Sequence, residues 1–187
     1  MKITQTNKLL NYADFVEFSP MYVETGTCYG QSVDRALIAG FQLIKSVEMM
    51  PEFYAHCYER FKTNKAIELY LGKSTDMLPI MIKDLSYPAV FFLDAHPAGP
   101  GTGGHDEIIS GDEEFGQHAI ICKELHHILM NRGDHLIIID DQNGENADNK
   151  VYMKMCLEAN LNYTFEFYDE NLSGDHLYKN KALVCRP

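Results

Sequence analysis

Apolar and polar positions follow two rhythms along this chain, and the rhythm switches almost from end to end. Short runs rich in β-branched and aromatic residues alternate with segments whose apolar residues recur every three or four positions. The first run, Met21-Tyr22-Val23-Glu24, stops at a glycine-containing turn, and from about Gln31 the residues Val33, Ala36 and Leu37 share one helical face. Phe41 to Glu48 holds a second strand. Pro51 then sits where a first-turn proline is tolerated and opens a helix with Phe53, Tyr54, Cys57 and Phe61 on its stripe. Ala66 to Leu71 reads as a third strand, with Ser74 as the N-cap of a helix carrying Met77, Leu78, Met81, Ile82 and Leu85. Ala89 to Leu93 and Leu136 to Ile139 are continuous apolar runs, as expected of strands covered on both faces.

Ile121, Leu125, Ile128 and Leu129 mark one further helix, and Val151, Tyr152, Met155, Cys156 and Ala159 another. Two final strands, around Tyr163 to Tyr168 and Lys181 to Cys185, are joined by a connection containing Gly174. No helix separates them, so the sheet should turn antiparallel there. The expectation is an α/β fold: an open, mostly parallel seven-stranded sheet flanked by helices, with a C-terminal antiparallel hairpin. Residues 1–187 read as one domain, residues 1–20 as an N-terminal extension outside the core, and 96–116 as a Gly- and acid-rich loop suited to an active-site lid.

Composition narrows the function classes. A length of 187 residues suits one domain with one sizeable core, and 45% hydrophobic with 23% charged residues is ordinary for a globular chain. Sixteen Lys and Arg against 27 Asp and Glu give a formal charge of −11, which repels phosphate backbones and disfavours a nucleic-acid partner. The five cysteines (Cys28, Cys57, Cys122, Cys156, Cys185) are dispersed and never in a C-x-x-C spacing, so they read as reduced thiols. No apolar run approaches the roughly 20 residues of a membrane span. Met1 to Gln5 lack a secretory apolar stretch, so a cytoplasmic protein without a membrane partner is expected.

In open α/β sheets ligands bind outside the carboxyl ends of the strands. After the first strand comes Glu24-Thr25-Gly26-Thr27-Cys28-Tyr29-Gly30, whose glycines let the backbone approach a ligand before a helix N-terminus. Glu48 ends the second strand, where a carboxylate can accept from a ribose diol, and Leu71-Gly72-Lys73-Ser74 follows the third. A nicotinamide site would show G-x-G-x-x-G, and here Cys28 replaces the second glycine. Asp94-Ala95-His96 follows the fourth strand and Asp140-Asp141 the fifth, so the carboxylates should meet at one sheet edge. Clustered hard oxygens of this kind suit Mg2+; alternatively the pair caps a loop.

Glu24-x-Gly26-x-x-x-Gly30, Glu48 and Asp94, in that order, resemble the successive motifs of class I S-adenosylmethionine-dependent methyltransferases, over most of the chain from Met21 to the C-terminal hairpin. The resemblance implies a Rossmann-like sheet and S-adenosylmethionine as cofactor. Gly26 and its loop would hold the methionine part, Glu48 the ribose and Ser74 the adenine region. The implied cofactor contacts are Glu24, Thr25, Gly26, Thr27, Gly30, Ser32, Glu48, Met49, Ser74 and Asp94. The second constellation is similar to that of metal-dependent O-methyltransferases, with Asp94, Asp140 and Asp141 as metal ligands and Asn143 as a weaker candidate. Such an ion would lower the pKa of the attacking hydroxyl.

Asp94 and His96 are the catalytic candidates; His96 could act as base, as ligand, or only as a partner to a carboxylate. His105 and Asp106 could reach the site if the long loop closes, whereas His126 and His127 read as structural and Cys28 as a small filler. The function expected is methyl transfer to a hydroxyl of a small molecule or sugar, by a chain that could self-associate as a homo-oligomer. Base methylation is disfavoured because Asp94-Ala95-His96-Pro97 replaces an Asn/Asp-Pro-Pro-aromatic motif. Two other readings compete. One is a nucleotide-sugar glycosyltransferase using Asp94-Ala95-His96, which leaves the glycine loop and Glu48 without a role. The other is a non-catalytic S-adenosylmethionine-binding module.

Overall fold

A computed structural model describes residues 2–96, 117–142, 147–170 and 180–187. Its strands are β1 (Ile3–Leu9), β2 (Met21–Thr25), β3 (Leu43–Glu48), β4 (Ile67–Leu71), β5 (Val90–Leu93), β6 (Leu136–Ile139), β7 (Thr164–Glu170) and β8 (Asn180–Arg186). Its helices are α1 (Gln31–Ala39), α2 (Pro51–Phe61), α3 (Ser74–Ile82), α4 (Gln117–Asn131) and α5 (Ala147–Ala159), and a 3-10 turn runs Tyr12–Asp14. Among the described residues the strands form one sheet in the order β1-β7-β8-β6-β5-β2-β3-β4. β8 runs antiparallel to both β6 and β7, and every other pairing is parallel. The expected mostly parallel α/β sheet with its C-terminal antiparallel pair is therefore present.

Eight strands stand where seven were expected. The addition is β1, which lies in the region expected outside the core and pairs in parallel with β7. Its sequence, Ile-Thr-Gln-Thr-Asn-Lys-Leu, has too few apolar positions to announce a strand. At a sheet edge only one neighbour and little burial are needed. Ladder bonds and the Thr6 hydroxyl, which donates to the Phe167 carbonyl at 2.7 Å, hold it there.

β2, β5 and β6 are buried at every position, which explains their unbroken apolar runs. One face of the sheet packs Leu78, Met81, Leu125, Ile128, Tyr152 and Met153 from α3, α4 and α5. The other packs Tyr12, Phe15, Val33, Ala36, Cys57 and Phe61 from the 3-10 turn, α1 and α2. Ser74 is the first residue of α3 rather than its N-cap, and Lys73 takes the cap position. Among the described residues no helix is long and apolar enough to cross a membrane.

The chain builds β2, β3 and β4 outward in one direction, then returns to add β5 and β6 on the other side of β2. Strand order thus reverses between β2 and β5, and the crevice outside their carboxyl ends is where such sheets take ligands.

Candidate active site

The residue after β2 decides how close the two strand ends can come. Gly26 has φ +87°, and a Cβ on it would lie 2.5 Å from the Asp94 carbonyl oxygen, so only glycine lets the β2–α1 loop rest on the end of β5. The amides of Gly26 and Thr27 donate to the Val47 carbonyl at 3.0 and 3.2 Å, and the Asp94 amide donates to the Thr25 carbonyl at 3.1 Å. The loop is thereby tied to β3 on one side and β5 on the other. Cys28 continues it at φ +48°, an uncommon conformation for a residue with a side chain.

Two carboxylates sit below this loop in different roles. Glu24 is fully buried, and its oxygens accept from the hydroxyls of Tyr22 at 3.0 Å and Ser46 at 2.6 Å. Burial pushes its pKa up to about 7 against the hydrogen bonds of Ser46, Ser32 and Tyr22. Glu48 is nearly buried, and its Oε2 accepts from the Cys28 amide at 2.7 Å and its Oε1 from the Met50 amide at 2.8 Å. An ionised carboxylate has about four acceptor sites, so two remain for a diol. The Thr27 and Ser46 hydroxyls also bond to one another beneath the loop.

A cavity of about 260 Å3 opens between these loops and α4, with Gly26, Cys28, Glu48, Met49, Ser74 and Asp94 on its wall. Ile120 and Lys123 of α4 close the far side. A second cavity, of about 410 Å3, lies across the β2–α1 loop and reaches Tyr12, Ser32, Arg35 and Asp140. Gly26, Cys28, Gln31 and Asp94 belong to both walls.

Of the residues expected to contact a cofactor, Gly26, Glu48, Met49, Ser74 and Asp94 line the first cavity, and Thr27 and Ser32 line the second. Glu24 and Thr25 are fully buried beneath the loop. Gly30, with φ +79°, begins α1; a Cβ there would come within 2.7 Å of the Phe61 ring, so this glycine serves the contact with α2.

His96 bridges the two acidic segments. Its Nε2 lies 3.3 Å from Asp94 Oδ1 and 3.0 Å from Asp141 Oδ2. Burial pulls the imidazole pKa down, but Asp141 and Asp94 outweigh it and raise it to about 10, so the ring holds its proton at neutral pH. Burial raises the pKa of Asp94, and His96 opposes that rise. Asp140 stands apart from this bridge, with Oδ1 buried and without a hydrogen bond among the described residues.

Among the described residues no three His, Cys, Asp or Glu side chains group as a metal site. The imidazole lies between the carboxylates of Asp94 and Asp141, the place a divalent ion would need. These residues do not fit the Mg2+ site expected from Asp94, Asp140 and Asp141. Asn143, His105 and Asp106 lie outside the described residues, as do nearly all of the expected lid and the connection around Gly174.

One charged residue near the site escaped the sequence reading. Glu124 of α4 is fully buried, and burial pushes its pKa up to about 7 against the hydrogen bonds of the Ser74 and Thr25 hydroxyls. The available signal was a carboxylate on the same helical face as Ile121, Leu125 and Ile128.

At the level of sequence, no family model and no curated protein matches the chain. Solved structures do match its fold. A protein of Streptococcus mutans assigned as a methyltransferase, in complex with S-adenosylhomocysteine, aligns with TM-score 0.60 and 11% identity over 94% of this chain and 95% of that one. The O-methyltransferase of Bacillus cereus, also in complex with S-adenosylhomocysteine, gives 0.53 and 14% over 94% and 79%. An rRNA methylase of Streptococcus thermophilus gives 0.55 and 9% over 93% and 92%. With the strand order, the reversal between β2 and β5 and the antiparallel β8, these likenesses show that the chain has the class I S-adenosylmethionine-dependent methyltransferase fold.

Proposed function

We propose that this protein transfers the methyl group of S-adenosylmethionine to a hydroxyl of a small molecule or sugar. The observation that carries the reading is Asp94, which stands on the wall of both cavities at the reversal of strand order. The first cavity suits the donor. Its loop is pinned by Glu48, whose remaining lone pairs match a ribose diol, and structures of this fold carry S-adenosylhomocysteine. When bound there, the donor supplies a sulfonium methyl.

The chain's residues do the rest. Gly26, Cys28, Gln31 and Asp94 line both cavities, so an acceptor in the second lies beside a donor in the first. The acceptor oxygen bonds to the methyl carbon as the carbon–sulfur bond breaks, the electron pair leaves on sulfur, and the hydroxyl proton passes to the Asp94 carboxylate. His96, already protonated, opposes the rise in the Asp94 pKa that burial causes and holds Asp94 against Asp141. Alignment supplies most of the rate, and proton removal adds to it. No metal enters this scheme. Both O-methyltransferases and an rRNA methylase share the fold, so the acceptor follows from the site and the charge; a formal charge of −11 opposes an RNA acceptor.

Calorimetric titration with S-adenosylhomocysteine tests the donor site. Micromolar binding is expected. Glu48→Ala should weaken it by at least about tenfold, the worth of hydrogen bonds to a charged group. Absence of binding to the intact protein refutes the proposal.

A further inference from the structure

We infer that Glu124 is a positioning residue for the donor site: through Ser74 it decides whether the cavity wall offers the donor a hydroxyl hydrogen or a lone pair. This rests on the methyltransferase reading and goes beyond it, because it ties affinity for the donor to a proton held outside the reacting groups.

Glu124 lies behind the first cavity, within one helical turn of residues that line it. Ile120 and Lys123 of the same helix close the far side, while Glu124 itself is fully buried. Its carboxyl group bonds to the hydroxyls of Ser74 and Thr25. Ser74 is the first residue of α3 and stands on the cavity wall. Thr25 ends β2, and its hydroxyl oxygen accepts from the Asp94 amide at 3.3 Å. One carboxyl group therefore joins α4, α3 and the ends of β2 and β5 behind the donor.

The direction of these hydrogen bonds follows from which hydrogens are available. The Thr25 oxygen accepts from Asp94, leaving its O–H to donate to Glu124. A protonated Glu124 accepts that bond on one oxygen and donates from the other to the Ser74 oxygen. Ser74 then turns its own hydrogen toward the cavity. An ionised Glu124 has no hydrogen to give, so the Ser74 O–H donates to it and only Ser74 lone pairs face the cavity. Adenine carries more ring-nitrogen acceptors than amino donors, so the protonated form suits the donor better. Burial pushes the Glu124 pKa up to about 7, and both forms are populated near neutral pH. α3 and β2 face it with hydroxyls; from the end of β5, Asp94 raises the pKa and His96 lowers it.

The test titrates S-adenosylhomocysteine by calorimetry into the parent, Glu124→Gln, Ser74→Ala and the double variant, at about pH 5.5 and about pH 8.5. A glutamine amide donates to Ser74 at every pH and so reproduces the protonated carboxyl. Parent and Glu124→Gln are expected to bind equally at the lower pH. At the higher pH the parent should bind about three- to tenfold more weakly than Glu124→Gln, the worth of one hydrogen bond, with its stoichiometry unchanged. Asp94 and Glu24 also have raised pKa values, but they are present in both proteins, so the difference isolates Glu124. Without the Ser74 hydroxyl, Glu124→Gln should alter affinity at neither pH, an outcome that a purely structural carboxylate would not give. A parent that matches or exceeds Glu124→Gln at the higher pH, or a difference that survives Ser74→Ala, overturns the inference and leaves the methyltransferase reading standing. No binding by any of the four proteins at either pH overturns that reading and the inference together.

Discussion

Glu124→Gln should stabilise this protein at alkaline pH and do almost nothing at acid pH. The carboxylate is fully buried on α4 and is held near pKa 7 instead of 4.5, because burial outweighs the hydrogen bonds of Ser74 and Thr25. The folded chain therefore keeps a proton that the unfolded chain releases between about pH 4.5 and 7, and stability is lost as pH rises through that window. At 1.36 kcal/mol per pH unit, the loss approaches about 3 kcal/mol by pH 8. A glutamine keeps the shape, carries no charge at any pH, and can donate to the Ser74 and Thr25 hydroxyls. The gain should be about 3 kcal/mol near pH 8, equivalent to roughly 6–12 °C in Tm for a domain of this size, and close to zero near pH 4.5. Glu24 has the same raised pKa and makes the parent less stable with rising pH too, so the quantity to read is the variant-minus-parent difference at each pH. Urea melts of both proteins at about pH 5 and 8 would supply it. A difference independent of pH, or a variant less stable at pH 8, refutes the reasoning.

Three further outcomes follow from the site. Gly26→Ala adds a Cβ 2.5 Å from the Asp94 carbonyl oxygen and should abolish measurable S-adenosylhomocysteine binding, whereas Gly40→Ala, also at positive φ but with nothing within 4 Å, should cost only about 1–2 kcal/mol of stability and leave binding intact. Equal binding by the two variants would contradict the tight-approach argument. With Asp94 as proton acceptor and its pKa raised toward 7 by burial, single-turnover methyl transfer should rise with pH through about 7 and then level off; a flat or falling profile would remove Asp94 from that role. Because His96 already lies between Asp94 and Asp141, EDTA and added Mg2+ should both leave the rate unchanged, and a loss on chelation restored by Mg2+ would return the carboxylates to metal binding.

The sequence by itself determined the framework. Continuous apolar runs at Val90–Leu93 and Leu136–Ile139 read as strands covered on both faces, and the three-to-four spacing between strands marked the helices. That alternation implied a mostly parallel sheet, and the residues ending β2, β3 and β5 were then legible as candidate site residues because a parallel sheet sends them all to one edge. What lay beyond the sequence depends on contacts between distant segments. β1 was hidden because an edge strand needs few apolar residues, and its pairing with β7 joins chain regions about 160 positions apart. His96 bridging two carboxylates depends on the adjacency of β5 and β6, so segments that suggested a metal site of Asp94, Asp140 and Asp141 in sequence form an ion-paired cluster of Asp94, His96 and Asp141 in space. Tyr12 and Arg35 carry no motif at all, and only the folding of the N-terminal segment across α1 and β6 sets them around one cavity. Burial, which moves the pKa values of Glu24, Glu124 and Asp94 away from their ordinary range, belongs to no residue type and arises only when the layers close.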